Sequence, residues 1–278
     1  RTYGTKPYHY RADNTRDQRP DEQPAEGIGE KNKALEKSNE SLPFFMGVGF
    51  VNPHTPLYAP QKYFDMFPLD KIKMPVMKEN DKDDIHYASA YEPTEMGIAY
   101  YKKLRQSFPN GDEGLRKFLQ AYLACVTFVD DQIGKVVEAL DNSKFKHNTI
   151  VVLVSDHGWQ MGEKDYLYKN SPWDESTRIP FIIRDPQKSK PGSKVEHAVS
   201  LIDIFPTFKD LCNLKGNITK DLRQSQLDGF SLRPFLEDSN TTNWNGPEGA
   251  LTVLGAGINK PIEGLGFSSN PGALWHIE

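Results

Sequence analysis

An acid and an imidazole stand side by side at the end of an apolar run. Residues Thr149–Val154 predict a buried strand, and Asp156 and His157 follow it almost directly, before Gly158. A carboxylate offers hard oxygen ligands to a divalent cation, and an imidazole can bind a metal, transfer a proton or stabilise developing charge. The pair predicts a metal or acid–base site. The alternative is that Asp156 caps the next turn and that His157 is a polar residue with satisfied hydrogen bonds.

A second imidazole, His54, follows another apolar run. Residues 43–51 are bounded by Pro43 and by Asn52-Pro53, which predicts a buried strand followed by a stiff turn. In an open parallel sheet, ligands bind beyond the carboxyl ends of the strands. If both strands belong to one sheet, His54 faces the same crevice as Asp156 and His157. The alternative is a histidine that stabilises a Pro-rich turn.

Alternating helix and strand patterns surround these residues. Apolar residues at helical spacing predict a long helix over 115–140 and a second one over 199–214, and residues 178–184 predict another buried strand. The order is typical of an α/β protein with a mainly parallel central sheet flanked by helices. We expect an irregular N-terminal segment (1–42), a main α/β domain (43–236) that includes a long loop-like stretch up to about residue 110, and an irregular C-terminal segment (237–278) that starts a further subdomain.

Composition excludes several classes of protein. The 278 residues carry a formal net charge of -4, which argues against a nucleic-acid-binding surface, and no run approaches the ~20 apolar residues of a membrane span. Cys125 and Cys212 each lie in an apolar helical pattern, so both are predicted to be small core residues. Neither has the spacing of a zinc site.

Several segments together resemble one known family. They are Ser155–Glu163, Lys169, Asp174–Pro180, Phe44–Pro56, Val129–Gly134, Leu201–Thr207 and Leu227–Leu232. In order and spacing they are similar to the sulfatase family of the alkaline-phosphatase superfamily, in particular to the branch that includes iduronate-2-sulfatase. The resemblance runs from about Pro43 to Leu236. It implies a sulfatase-like α/β fold that is incomplete at its N-terminal side.

The resemblance also implies roles for individual residues. Asp156 and His157 would lie against an active-site Ca²⁺, with Asp156 the firmer metal ligand because calcium prefers oxygen. Lys169 matches the family lysine that contacts the sulfate, and His54 matches a histidine near the sulfate ester, so both are candidates for catalysis and substrate binding; His157 is a further catalytic candidate. Trp159 is a candidate substrate-binding residue, with core packing as the alternative.

One essential part of the family pattern is missing. Sulfatases use a formylglycine nucleophile made from a Cys or Ser in a Cys-x-Pro-x-Arg setting, whereas Cys125 is followed by Val-Thr-Phe and Cys212 by Asn-Leu-Lys. The family's two adjacent calcium-binding aspartates at an early strand are also unmatched. The chain therefore resembles the part after the nucleophile-bearing region. We expect that N-terminal portion to be a separate chain or an omitted segment, and we expect no turnover from these residues alone.

Three functions fit these observations. The first is a sulfuric-ester hydrolase acting on a sulfated carbohydrate such as a glycosaminoglycan, with this chain supplying part of the calcium and sulfate site. The second is a phosphoester or phosphonate hydrolase of the same superfamily, and the third is a non-catalytic fragment that binds sulfated glycans. The family is typically periplasmic, secreted or lysosomal, which implies an exported protein.

Overall fold

The computed structural model describes residues 8–11, 43–81, 83, 95–216, 227–255 and 273–277; for 8–11, 253–255 and 273–277 it describes the backbone only. The chain divides into two compact units. The first contains residues 1–76 and 102–147, and the second contains residues 77–101 and 148–278. These units are defined by packing and not by independent folding, so they do not test the predicted division into segments 1–42, 43–236 and 237–278. That division stays a prediction.

The first unit is organised by one long helix. Its elements are β1 (Tyr8–Arg11), β2 (Met46–Gly49), α1 (Gln61–Asp65), a 3₁₀ turn (Leu69–Lys71) and α3 (Gly111–Asp141). Strands β1 and β2 pair in parallel. The Asn110 side chain caps α3 by accepting the Asp112 N–H at 3.0 Å. The Tyr63 hydroxyl of α1 donates to Asp131 of α3 at 2.6 Å, so this acid stabilises the packing of two helices.

The second unit is built from short strands and helices. It begins with the first turns of α2 (Met96–Gln106). The strands that follow are β3 (Val151–Val154), β4 (Gln160–Met161), β5 (Leu167–Tyr168), β6 (Phe181–Arg184), β7 (Leu251–Gly255) and β8 (Ala273–Ile277). The helical elements between them are α4 (Asp174–Thr177), a 3₁₀ turn (Leu201–Asp203), α5 (Ile204–Leu211) and α6 (Arg233–Glu237). The pairs β3–β6, β4–β5 and β7–β8 are all antiparallel.

The α/β fold class is confirmed, and the strand pairing adds a detail. The described part of the chain contains one parallel pair, β1–β2, whereas β3 pairs with β6 in antiparallel fashion. Parallel neighbours need a crossover connection, usually through a helix. The chain between Val154 and Phe181 instead returns through the β4–β5 ribbon and the four-residue helix α4, so β6 comes back in the opposite direction.

Three local expectations need correction. The loop-like stretch up to residue 110 contains helices α1 and α2, and the terminal segments expected to be irregular contain β1, β7 and β8. Helix α2 escaped prediction because its less exposed stripe, at Gly97, Ile98, Tyr101 and Leu104, is weakly apolar and is interrupted by basic residues. Cys125 is buried as expected, but Cys212 is exposed because it lies at the end of α5, beyond the packed part of that helix.

The two later sequence landmarks pack against each other. The buried Asp203 carboxylate accepts the Ser200 N–H at 2.8 Å and the Phe230 N–H at 2.7 Å. A Cβ on Gly229 would lie 2.2 Å from the Ile202 carbonyl oxygen, so only glycine allows this approach. These residues therefore connect 201–207 to 227–232 and act in folding. Among the described helices, none has both the length and the apolar character needed to span a bilayer.

Candidate functional site

Strand β3 delivers Asp156 and His157 to the surface. The strand forms where it was predicted, but it is half-buried in this structure, with Val154 36% exposed. The Asp156 side chain is 84% exposed and that of His157 is 23% exposed, and Asp156 Oδ1 lies 3.6 Å from His157 Nε2. These sequence neighbours thus have their polar atoms close together, with the acid open to a ligand from outside.

The tautomer of His157 follows from its hydrogen bond. Nδ1 lies 2.7 Å from the Gly158 carbonyl oxygen, which can only accept, so Nδ1 carries a proton. In this tautomer Nε2 carries the ring lone pair, and it lies 3.6 Å from Asp156 Oδ1. A histidine whose Nδ1–H donates to a backbone carbonyl is typical of metal-binding imidazoles, because the bond fixes the ring and the tautomer.

Gly158 anchors this pair by a close backbone approach. Its N–H donates to the Ser176 carbonyl at 2.7 Å, and the Trp159 N–H donates to the Glu175 carbonyl. A Cβ on Gly158 would lie 2.2 Å from the Glu175 carbonyl oxygen and 2.9 Å from that of Arg178. Backbone atoms cannot rotate away as side chains can, so glycine is required here for a steric reason.

We predict that Gly158→Ala destabilises the protein by about 2–4 kcal/mol, because the new methyl group forces the turn away from α4 and breaks both backbone hydrogen bonds. Urea denaturation measures the loss. The matched control is Gly134→Ala in the middle of α3, where a Cβ meets nothing within 4 Å; it should stabilise by about 0.5–1 kcal/mol. Equal stability changes in the two variants would contradict the steric argument.

Lys169 follows a strained residue at the end of the β4–β5 ribbon. Tyr168 is the register partner of Gln160 and has a φ of +77°, in the left-handed region that bulky residues rarely adopt. Lys169 is partly buried. No ion pair within the described part of the chain includes Lys169.

Aromatic rings connect the two parts of the candidate site, which are the Asp156–His157 pair and the segment that carries Lys169. Trp159 lies between His157, at a ring-centroid distance of 6.3 Å, and Tyr168, at 5.2 Å. Burial, and in second place the neighbouring Tyr100, raises the pKa of Tyr168, so its hydroxyl stays protonated at neutral pH. Trp159 therefore packs against both His157 and Tyr168. Tyr168 was missed from sequence, because a single tyrosine in a charged loop carries no signal.

His54 belongs to the first unit. The side chain is exposed, and Nδ1 lies 2.7 Å from the Thr55 carbonyl oxygen, so Nε2 is again the nitrogen that can accept a proton or a hydrogen bond. Its backbone N–H donates to the Val51 carbonyl at 2.9 Å, which stabilises the Pro-rich turn. Its place in the same site as Asp156 and Lys169 stays a prediction.

The fit to a calcium ion is partial. Asp156 Oδ1 and His157 Nε2 form a pair of lone-pair donors that a cation would stabilise, and the exposed carboxylate is the hard ligand that calcium prefers. Calcium takes six to eight ligands, however, and the described ranges contain no group of three or more His, Cys, Asp or Glu side chains arranged for a metal. The described residues can therefore supply a part of such a site only.

Two other features do not include the predicted site residues. A cavity of about 520 Å³ in the second unit is lined by residues that include Arg233, Glu237 and Trp244, and by none of the predicted site residues. Burial raises the pKa of the Cys125 thiol to about 11, so this cysteine is a neutral core residue at physiological pH. The burial of Cys125 agrees with the prediction that it is a small core residue.

Comparisons with known proteins identify a family model and relatives that match the chain. The Sulfatase family model matches residues 8–214. A sulfatase of Formosa agariphila is 38% identical over 188 residues, which cover 66% of this chain and 36% of the relative. Mouse iduronate 2-sulfatase is 30% identical over 230 residues, which cover 70% of this chain and 40% of the relative.

Among solved structures, the phosphonate monoester hydrolase of Agrobacterium radiobacter superposes with a TM-score of 0.65 at 27% identity, covering 90% of this chain and 49% of the other. The chain spans about two fifths of the length of the curated relatives that it matches. The match over residues 8–214 takes in the β3 strand, the Asp156–His157 pair and the Lys169 ribbon. The chain belongs to the sulfatase family.

Proposed function

We propose that this chain is part of a metal-dependent sulfuric-ester hydrolase that acts on a sulfated carbohydrate. The observation that supports it best is that an exposed acid–imidazole pair, Asp156 and His157, precedes the paired β4–β5 ribbon and that Lys169 directly follows it. The backbone hydrogen bonds of Gly158 and the β4–β5 pairing connect these groups into one local structure. A tetrahedral anion bound near Lys169 would place its negative oxygens beside a fixed positive charge.

Each residue has a distinct role in this proposal. Asp156 would hold the metal through its carboxylate, and His157 would offer Nε2 to the same ion. Lys169 contacts the sulfate group and stabilises the negative charge that grows on its oxygens during S–O cleavage. His54, through Nε2, stabilises or protonates the leaving oxygen of the sugar. Trp159 lines the substrate side of the pair. The chemistry that a bound calcium would supply is Lewis-acid stabilisation of the negative charge on the sulfate oxygens.

The nucleophile and the remaining calcium ligands are proposed to come from sequence outside these 278 residues. The supporting observations are the absence of a Cys-x-Pro-x-Arg sequence and the share of the relatives' length that is covered, 36% and 40%. In the family such a nucleophile is a formylglycine. We further propose an exported protein, in keeping with the resemblance, whose substrate is a sulfated glycan such as a glycosaminoglycan.

A phosphonate monoester hydrolase is the second candidate. It is favoured by the structural likeness to the Agrobacterium radiobacter enzyme, which covers 90% of this chain at 27% identity. A phosphonate monoester also presents tetrahedral oxygens to a lysine and a metal, so the described residues alone suit either substrate.

The test is to express the complete gene product that contains this chain and to measure calcium-dependent hydrolysis of an aryl sulfate, a sulfated glycosaminoglycan and a phosphonate monoester. We expect release of inorganic sulfate with the highest kcat/KM on a sulfate ester. Faster hydrolysis of the phosphonate would favour the second candidate. Saturable binding of the glycan without any hydrolysis would show a non-catalytic binder and overturn the proposal.

A further inference from the structure

Three polar side chains form a buried cluster between the two parts of the candidate site. Gln160, Ser171 and Ser176 are 0%, 2% and 3% exposed. Gln160 Nε2 donates to Ser171 Oγ at 3.3 Å and to the Glu175 carboxylate at 3.2 Å. Ser171 Oγ and Ser176 Oγ share a hydrogen bond of 2.6 Å.

The Gln160–Ser171–Ser176 cluster lies close in sequence to both His157 and Lys169. Gln160 begins β4, three residues after His157, and Ser171 comes two residues after Lys169. Ser176 lies in α4, and its carbonyl accepts the Gly158 N–H while its hydroxyl lies 3.5 Å from the Tyr168 carbonyl. One connected set of hydrogen bonds therefore reaches the residue after His157 and the residue before Lys169.

Local secondary structure alone is too weak to fix the position of Lys169 relative to His157. Strands β4 and β5 have two residues each, and an isolated ribbon of that size is not stable. Tyr168, with a φ of +77°, also requires stabilisation from its surroundings. Buried polar networks are costly to form, but once formed they select a single arrangement of the groups that they connect.

We propose that Gln160, Ser171 and Ser176 are positioning residues that fix Lys169 relative to Asp156 and His157. This inference rests on the proposed function, in which the lysine and the metal-binding pair act on one anion. A fixed cation stabilises a transition state only if it is placed before the reaction begins, and a displacement of about 1 Å can cost roughly 100-fold in rate. The cluster touches neither anion nor metal and acts through the backbone that carries Lys169.

Gln160→Met is the sharpest probe. Methionine has nearly the same volume and no hydrogen-bonding amide, so packing is kept while the contacts to Ser171 and Glu175 are lost. The Gln160 amide oxygen has no hydrogen-bond partner in the described structure, so removing it relieves a buried polar atom and limits the loss of stability. The matched control is Thr207→Val. Thr207 is 2% exposed, and its hydroxyl accepts the Leu232 N–H at 2.9 Å in the same unit, within the 201–207 and 227–232 contact.

The experiment uses the complete gene product and two readouts. In Gln160→Met, amide hydrogen exchange over residues 167–171 should become at least about fivefold faster, and kcat for an aryl sulfate should fall about 10- to 100-fold with a smaller change in KM. Thr207→Val should lower Tm without altering either quantity in the folded protein. Unchanged exchange over 167–171 in Gln160→Met would overturn the inference. So would an equal fall of kcat in both variants.

The two readouts separate this inference from the proposed function. If exchange over 167–171 accelerates in Gln160→Met while the wild-type protein hydrolyses no sulfate ester, the cluster positions the lysine but the proposed function is wrong. If the wild type is active and both readouts are unchanged in Gln160→Met, the function stands and the positioning role is wrong.

Discussion

Asp156→Ala should abolish sulfate-ester hydrolysis by the complete enzyme, lowering kcat/KM by about 10³-fold or more, because the metal then loses an anionic ligand and with it several kcal/mol of charge stabilisation. The fold should be unaffected. The Asp156 side chain is 84% exposed and its one described contact is to His157 at 3.6 Å. Free energies of unfolding measured without calcium should therefore agree with wild type to within about 0.5 kcal/mol.

Calcium binding gives this prediction a readout that does not depend on turnover. In the wild-type protein, added calcium should raise Tm, since a ligand at 100 times its Kd stabilises the folded state by about 2.7 kcal/mol. The rise should be reversed by a chelator and absent in Asp156→Ala. The control is Asp70→Ala, which removes a surface acid that is 72% exposed and pairs with Lys71; it should keep both activity and the calcium response. A calcium-dependent rise in Tm that persists in Asp156→Ala would remove this residue from the metal site.

Lys169→Ala should lower kcat for a sulfate ester by about 10²–10³-fold, the usual effect of removing one group that stabilises charge in the transition state. Lys169→Arg keeps the charge but changes its geometry, so we expect partial activity. Inorganic sulfate should also inhibit Lys169→Ala less strongly than wild type, because the bound anion loses its cation. Steady-state kinetics with sulfate as a competing ligand measure both effects.

The control for this variant is Lys194→Ala, an exposed lysine in a loop of the same unit. It carries the same change of net charge, so any general electrostatic effect on substrate approach appears in both variants. If Lys194→Ala and Lys169→Ala lose activity equally, the role of Lys169 is no more than its contribution to net charge. Activity within twofold of wild type in Lys169→Ala would exclude the lysine from the sulfate site.

The chemistry-bearing residues were visible in the sequence because local patterns mark them. An apolar run that ends in Asp156-His157-Gly158 predicts a strand with polar groups at its end, and the structure has β3 at Val151–Val154 with these residues following. The long helix α3 was also visible, since its apolar residues repeat at helical spacing over most of Gly111–Asp141. Family resemblance then supplied roles that no spacing alone could supply, such as that of Lys169.

Other features required the tertiary structure. Helix α2 has only a weakly apolar stripe, and the antiparallel pairing of β3 with β6 depends on how 26 intervening residues return. The reason for glycine at position 158 is a carbonyl of Glu175, which lies 17 residues away in the chain. The buried positions of Gln160, Ser171 and Ser176 have no sequence signal, because such residues are typical of exposed loops.

The sequence by itself determined the family, the main helices and strands, and the identity of the acid, the imidazoles and the lysine, because these depend on residue type and on short-range periodicity. Only the tertiary structure decided that His157 directs Nε2 toward Asp156, that Gly158 packs against α4, and that Lys169 follows a strained tyrosine on a two-residue ribbon. For Gly158 the physical reason is that its contact joins segments 17 residues apart; for His157 and Tyr168 it is that residue type does not fix a side-chain rotamer or a left-handed backbone angle. Their geometry is set by packing and hydrogen bonds that no local pattern encodes.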